Sequence, residues 1–233
     1  MSGDAPTYRL HLAEDGPAVA RAAADAIVAA INESIAARGR CSVALAGGST
    51  PKATYRLLVE APIDWTAVDV YFGDERCVPA DDPDSNFAMA TDALLSHVPI
   101  PPEHIHRLEA DRDDRDAAAL EYSKALPDPV DIVILGIGED AHTASIFPGG
   151  DAVHETARRL MPVIGPKPPP WRLTVTPSVI ETARAVIVIA AGAGKADALY
   201  EATTHEPDPA RWPIQLARAG LFIIDRAAAA RLP

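Results

Sequence analysis

Lysine is scarce in this chain: Lys52, Lys124, Lys167 and Lys195 are the only four among 233 residues. Basic residues number 21 against 33 acidic ones, giving a formal net charge of −12. A nucleic-acid binder carries a basic patch or stripe, and none is evident, so no nucleic-acid partner is expected. Cysteine is nearly absent. Cys41 and Cys77 lie far apart, form no C-x-x-C pair, and each borders an apolar, strand-like segment. That excludes a disulfide framework and predicts two buried free thiols. Aromatic residues are only 5% of the chain while alanine abounds, so the core must be built largely from small aliphatic side chains. No apolar run approaches the ~18 residues that a membrane helix needs. The opening MSGDAPTYRL has no basic region followed by an apolar stretch, as a secretory signal would. The expectation is a cytoplasmic protein with no membrane partner.

What is present is ordinary globular composition, 48% hydrophobic and 23% charged, which excludes intrinsic disorder. Short runs rich in Val, Ile and Leu alternate with amphipathic stretches. The expected strands are Ser42–Ala46, Val68–Phe72, Asp131–Leu135, Leu173–Thr176, Val186–Ala190 and Leu221–Ile224. They show little polar alternation, as strands covered on both faces do. Helices are expected at Asp15–Arg38, stopped by Gly39, and from Thr50-Pro51, with Thr50 as N-cap and Pro51 at the first helical position. Others are expected at Asn86–His97, Asp113–Ala125, Lys195–Thr203 and Ile214–Arg218. This alternation predicts an α/β fold: a single domain over residues 1–233, with a mostly parallel, Rossmann-like sheet flanked by helices. Pro166-Lys167-Pro168-Pro169-Pro170 has strand-like sequence on both sides and reads as a rigid loop inside that domain.

In open α/β sheets ligands bind beyond the carboxyl ends of the strands. After Ser42–Ala46 come Gly47, Gly48, Ser49 and Thr50. The glycines allow close backbone approach, the next helix offers free N–H groups and the hydroxyls add donors, which together suit a phosphate. The Walker spacing is missing, and a tight turn before a helix would read the same. After Val68–Phe72 come Gly73-Asp74-Glu75-Arg76, where an Arg among carboxylates could orient an acid or grip an anion. After Asp131–Leu135 come Gly136-Ile137-Gly138-Glu139-Asp140-Ala141-His142. His142 alone of the seven histidines lies in a glycine-rich loop after a buried strand, and Asp140 stands where it could fix the ring's tautomer. Lys195 follows Gly192-Ala193-Gly194 after another strand, and Arg172 adjoins the proline-rich loop; each alone carries little. Asp111–Asp116 alternates in charge and reads as a solvated helix start. His104-x-His106 lacks a matching Cys or carboxylate set, so no metal and no cofactor are expected. Ser145 near His142 lacks the G-x-S-x-G elbow of a serine hydrolase.

In this order, Ala46-Gly47-Gly48-Ser49-Thr50-Pro51, Phe72-Gly73-Asp74-Glu75-Arg76, Val78-Pro79 and Asp84-Ser85-Asn86 resemble the 6-phosphogluconolactonase family in its bacterial form. So do Leu135 through Gly149, Pro166-Lys167-Pro168-Pro169 with Arg172-Leu173-Thr174, and Gly194-Lys195. The resemblance spans nearly the whole chain. One departure is Ala141, where the family has glycine; alanine resists φ > 0, which would re-aim the loop slightly. Glucosamine-6-phosphate deaminase/isomerase shares the fold and looks similar around the histidine loop. There the loop continues to a glutamate before proline, whereas here Phe147 precedes Pro148.

The resemblance implies hydrolysis of 6-phospho-D-glucono-1,5-lactone in the oxidative pentose phosphate pathway. His142 would be the base, with Asp74 and Asp140 orienting it or the sugar hydroxyls. Arg76 would serve the oxyanion or the phosphate, and Gly47, Gly48, Ser49, Thr50, Arg172 and Lys195 would bind substrate. The expected partner is a small phosphorylated sugar lactone, and the expected state a monomer or weak homo-oligomer. The competing reading is a non-catalytic sugar-phosphate sensor, which would keep the phosphate loop but has no need of the Asp140/His142 pair.

Overall fold

The computed structural model describes residues 9–233; residues 1–8, most of the stretch read above for a secretory signal, lie outside it. Six strands form one wholly parallel sheet: β1 (Arg9–Ala13), β2 (Cys41–Leu45), β3 (Val68–Phe72), β5 (Ile132–Leu135), β8 (Ala185–Ala190) and β9 (Leu221–Asp225). Their order is β1-β9-β8-β5-β2-β3. β2 and β5 are buried along their whole length, which is why they read as runs with little polar alternation. Three further strands, β4 (Asp74–Arg76), β6 (Leu160–Ile164) and β7 (Trp171–Val175), form a small antiparallel sheet in the order β4-β7-β6.

The order of the large sheet fixes where a ligand can bind. From β2 the chain moves outward to β3, then returns to lay β5 along the other side of β2. The loops leaving β2 and β5 therefore diverge and open a crevice at their carboxyl ends.

Helix α1 (Gly16–Arg38) begins where Asp15 Oδ1 accepts the Ala18 N–H at 2.9 Å, and it ends where Gly39 takes φ 77°. Its buried face, Val19, Ala20, Ala23, Ala24, Ile27 and Ile31, follows helical spacing. It packs on α2 (Ser49–Leu58) and across β8 and β9. Alanine-rich contacts permit close approach, so a core poor in aromatics still packs. No helix among the described residues is long and apolar enough to cross a membrane.

Several expectations are corrected. Helix α2 starts at Ser49 with Gly48 as its N-cap and no capping side chain, so Thr50 is not the cap and Pro51 is the third helical residue. The expected helix over Asn86–His97 is α3 (Asn86–Ala90), capped by Ser85, followed by a π turn at Thr91–Leu95. Helix α4 (Arg115–Ala125) begins after Asp114, whose carboxylate accepts the Ala117 N–H. Lys195 ends a 3-10 turn before α6 (Ala196–Thr204), and Pro213–Ala217 is 3-10 rather than α. A short α5 (Pro177–Thr182) lies between β7 and β8. The segment read as Leu173–Thr176 belongs to the antiparallel sheet, and the proline-rich loop joins its strands β6 and β7. Strands β1, β4 and β6 escaped the sequence reading: four of five β1 residues face solvent, β4 is only three residues, and β6 carries Pro162 inside its run. Cys41 is buried, but Cys77 is only half-buried.

Candidate active site

A cleft of about 210 Å3 opens at the carboxyl ends of β2, β3, β5 and β8. Its walls include Gly47, Gly48, Asp74, Arg76, Asn86, His142, Arg172 and Lys195. Seven of these eight are residues that the sequence singled out for chemistry. They come from segments well over a hundred residues apart, joined only by the fold.

The β2–α2 loop leaves the sheet through Gly47 and Gly48. Gly48 takes φ 111°, which a side chain would strain. A Cβ on Gly47 would lie 1.9 Å from Asn86 Oδ1. The Tyr55 hydroxyl, fully buried on α2, accepts the Ala46 N–H and donates to the Ala46 carbonyl, both at 2.9 Å. Ser49 and Thr50 are in the first turn of α2 and face adjoining depressions rather than this cleft. Lys52 forms an ion pair with Asp92 on the surface.

At Gly73 the chain passes from the large sheet to the small one. Its N–H donates to the Leu45 carbonyl at 2.9 Å, and its carbonyl accepts from Val175 N–H at 2.9 Å. Asp74 then sits buried in the cleft wall. Ser145 Oγ donates to its Oδ2 at 2.6 Å and Asn86 Nδ2 to its Oδ1 at 3.2 Å. Arg76 lies across the β4/β7 ladder from Arg172. Arg76 Nη1 donates to the Asp84 carbonyl at 2.6 Å. The Nε atoms of Arg76 and Arg172 are buried and have no hydrogen-bond acceptor among the described residues. Burial, followed by the neighbouring charge of Arg76, pulls the Arg172 pKa down, and Asp74 only partly opposes this. Two crowded guanidiniums with idle donors define a site that an anion would relieve.

The loop after β5 makes a tight turn. Ala141 N–H donates to the Gly138 carbonyl at 3.1 Å, and Gly138 N–H to the His142 carbonyl at 2.8 Å. Ala141 adopts φ 66°, so this alanine takes the left-handed conformation that glycine would adopt freely. Ala144 does likewise at φ 47°. Asp140 Oδ1 lies 2.5 Å from His142 Nδ1. Burial opposes ionisation of Asp140, but the His142 charge and the hydrogen bonds from its ring and backbone outweigh it and hold the carboxyl below its ordinary range. An ionised carboxylate only accepts, so the neutral ring carries its proton on Nδ1 and a lone pair on Nε2. The Phe147 ring packs against the imidazole at 4.9 Å, and Arg172 lies 5.8 Å from the same ring's centre.

His104 and His106 are engaged elsewhere. His104 meets Arg40 at 3.1 Å, and His106 stacks on Tyr71 and bonds Asp69 at 3.2 Å. No cluster of three His, Cys, Asp or Glu side chains that could hold a metal ion occurs among the described residues. The reading from individual motifs missed the buried supports: Tyr55, Asn86, Ser145 and Thr174, whose hydroxyl accepts the Ser145 N–H at 3.0 Å. The Asp84-Ser85-Asn86 helix start was the available signal for Asn86.

A parallel sheet with this strand order, carrying a carboxylate–imidazole pair and a cluster of cations at its crevice, defines an α/β protein with an anion-binding crevice equipped for acid–base chemistry. Residues 14–223 match the family model of glucosamine-6-phosphate isomerases/6-phosphogluconolactonase, and the chain belongs to that family. It is 39% identical to the 6-phosphogluconolactonase of Mycobacterium tuberculosis, over 94% of this chain and 96% of the relative. It is 36% identical to that of Streptomyces coelicolor, over 99% and 96%. The solved 6-phosphogluconolactonase of Trypanosoma cruzi superposes with a TM-score of 0.88 at 31% identity, covering 100% of this chain and 99% of that one.

Proposed function

We propose that this protein hydrolyses 6-phospho-D-glucono-1,5-lactone to 6-phosphogluconate, as a step of the oxidative pentose phosphate pathway. The curated relatives with that name support the reading. The observation that carries it is the cleft itself, where one carboxylate-held imidazole meets Arg76, Arg172 and Lys195. A lactone carbonyl is already electrophilic, so a base and charge stabilisation suffice without a metal. His142 Nε2 takes a proton from water as the water oxygen bonds to C1. The tetrahedral oxyanion then collapses, the C1–ring oxygen bond breaks, and the imidazolium returns the proton to the ring oxygen. General-base help of this kind is worth ~10²–10⁴-fold. Asp140 orients the ring and supports its positive form.

Asp74 accepts from the sugar hydroxyls or steers the water. The glycine loop and the cations bind the phosphate and the developing negative charge. Phe147 puts a hydrocarbon ring against His142, where ring opening of an amino sugar would need an acid. The reading covers residues 1–233 as one lactonase domain. Every site residue comes from one chain, so a monomer or weak homo-oligomer suffices. A charged phosphate does not cross a membrane unaided, which supports a reaction in the cytoplasm, where the substrate would be retained. The test is hydrolysis of fresh lactone with the spontaneous rate subtracted. Enzyme-dependent turnover is expected, and its absence would overturn the reading.

A further inference from the structure

Glu75 is the one charged residue of Gly73-Asp74-Glu75-Arg76 without a role in the reaction above, although it lies between two residues that line the cleft. Strand β4 alternates, so Asp74 and Arg76 face the cleft while Glu75 turns away from it. Glu75 is only 4% exposed, and its carboxylate accepts four hydrogen bonds. Oε1 takes the N–H groups of Arg76 at 2.8 Å and Asn86 at 2.7 Å. Oε2 takes Ser85 Oγ at 3.0 Å and the Phe87 N–H at 2.8 Å. Three of the four donors belong to Ser85, Asn86 and Phe87, at the start of α3.

That segment reaches back to both cleft residues. Asn86 Nδ2 donates to the Asp74 carbonyl at 2.9 Å as well as to its carboxylate. The Asp84 carbonyl accepts from Arg76 Nη1. The Asn86 amide also fills the space that a Cβ on Gly47 would need. A single buried carboxylate thus anchors the turn against which Asp74, Arg76 and the glycine loop are all set. Burying a carboxylate is costly, and four donors are what make it tolerable.

We propose that Glu75 is a positioning residue for the lactonase reaction: its carboxylate pins residues 84–87 so that Asn86 holds Asp74 and the Asp84 carbonyl holds Arg76. The proposal rests on the function assigned above. It goes beyond capping of a five-residue helix because the anchored segment bonds two cleft residues directly. Glutamine in this place has the same shape but a single accepting oxygen. Its NH2 group would then face two of the four donors, and the turn must shift to relieve them. A shift of about 1 Å at reacting groups costs on the order of 10²-fold in rate.

The test compares wild type, Glu75→Gln and Ser85→Ala. The readouts are kcat and KM for the phosphorylated lactone, the Kd for inorganic phosphate by calorimetry, and Tm. For Glu75→Gln the expectation is a folded protein with kcat lowered about 10- to 100-fold, together with weaker phosphate binding. Ser85→Ala removes one donor to Glu75 together with the cap on the Ala88 N–H, and should move the same quantities the same way, by about 3- to 10-fold. A purely structural role would lower Tm and the folded fraction but leave kcat, KM and phosphate affinity per folded molecule unchanged, and that result overturns the proposal. If Glu75→Gln does not fold, wild-type constants in Ser85→Ala overturn it equally. If the wild type binds phosphate but does not turn over lactone, the lactonase reading fails; phosphate affinity lost in Glu75→Gln would still support the positioning role.

Discussion

A single added methyl group at Gly138 should disable the site while leaving the fold intact. Gly138 is buried in the turn below the imidazole, and its φ is not in the left-handed region, so alanine can adopt its backbone conformation. A Cβ there would lie 2.0 Å from His142 Nδ1, 2.2 Å from Cε1 and 2.5 Å from Asp140 Oδ1. Ordinary contact begins near 3.4 Å, so the ring or the carboxylate must retreat by more than an ångström. Both are partly exposed, at 30% and 45% for the side chains, and can swing aside without unpacking the core. The methyl group is thereby accommodated at the expense of the Asp140–His142 geometry. A misplacement of about 1 Å at the base corresponds to roughly 10²-fold in rate. Gly16→Ala supplies the control, because Gly16 does not line the cleft and a Cβ there makes only an ordinary contact, 3.7 Å from Ala191 Cβ. The assay is kcat for the phosphorylated lactone, with Tm measured alongside. The expected result is a drop of about 10²-fold for Gly138→Ala, a shift in Tm of no more than a few degrees, and near wild-type turnover for Gly16→Ala. Wild-type kcat in a folded Gly138→Ala protein would refute the reasoning.

Lys195→Ala should raise KM for the phosphorylated lactone about 10- to 150-fold with a smaller change in kcat, since a charge-assisted contact is worth ~1.5–3 kcal/mol and a remote phosphate is held equally in ground and transition states. Measuring both constants with unphosphorylated gluconolactone as well checks the role, because equal damage to both substrates would remove Lys195 from the phosphate site. The folded-state pKa of Asp140 is depressed, so its contribution to stability is present above the unfolded carboxyl value, about 4, and is lost as pH falls through the lower folded value. The Tm advantage of wild type over Asp140→Asn should therefore be full at neutral pH and vanish in acid; a difference independent of pH would contradict this. Treatment with EDTA should leave lactonase activity intact, and loss restored by one particular divalent ion would return attention to His104 and His106.

The parts of the fold legible in the sequence were those written as long or fully buried elements. The cores of β5, β8 and β9 read as unbroken apolar runs, and β2 and β3 as runs broken only by Ser42 and Asp69, because that sheet is flanked by helices. Helix α1 carried its own start and stop in Asp15 and Gly39. The small sheet was illegible for a physical reason: β4 is three charged residues whose strand character comes from pairing with β7, not from their own propensity. The start of α2 was misplaced because Thr50-Pro51 imitates a capped helix start, whereas Gly48 at φ 111° lets the helix begin earlier. In the cleft, residue types that chemistry demands were visible at strand ends: His142, Asp140, Asp74, Arg76 and Lys195. Ser49 and Thr50 follow the right strand, but the first turn of α2 directs them to neighbouring depressions. The supports were invisible in isolation. Nothing in a lone Tyr55 or Glu75 announces that its polar atoms hold a loop several residues away. Ala141 is a case of foresight with a different outcome: the expected reluctance toward φ > 0 is overridden, because Ile214 N–H donates to its carbonyl at 3.0 Å and its own N–H bonds Gly138.

The central claim is that His142 activates water against a phosphorylated lactone, and the most direct measurement is the kcat of His142→Ala on fresh 6-phospho-D-glucono-1,5-lactone, with spontaneous hydrolysis subtracted and 6-phosphogluconate affinity measured in parallel. The account predicts kcat lowered by at least ~10²-fold with product affinity nearly unchanged, because a base is lost while the cations that hold the phosphate remain. Near wild-type turnover by the folded variant would contradict it.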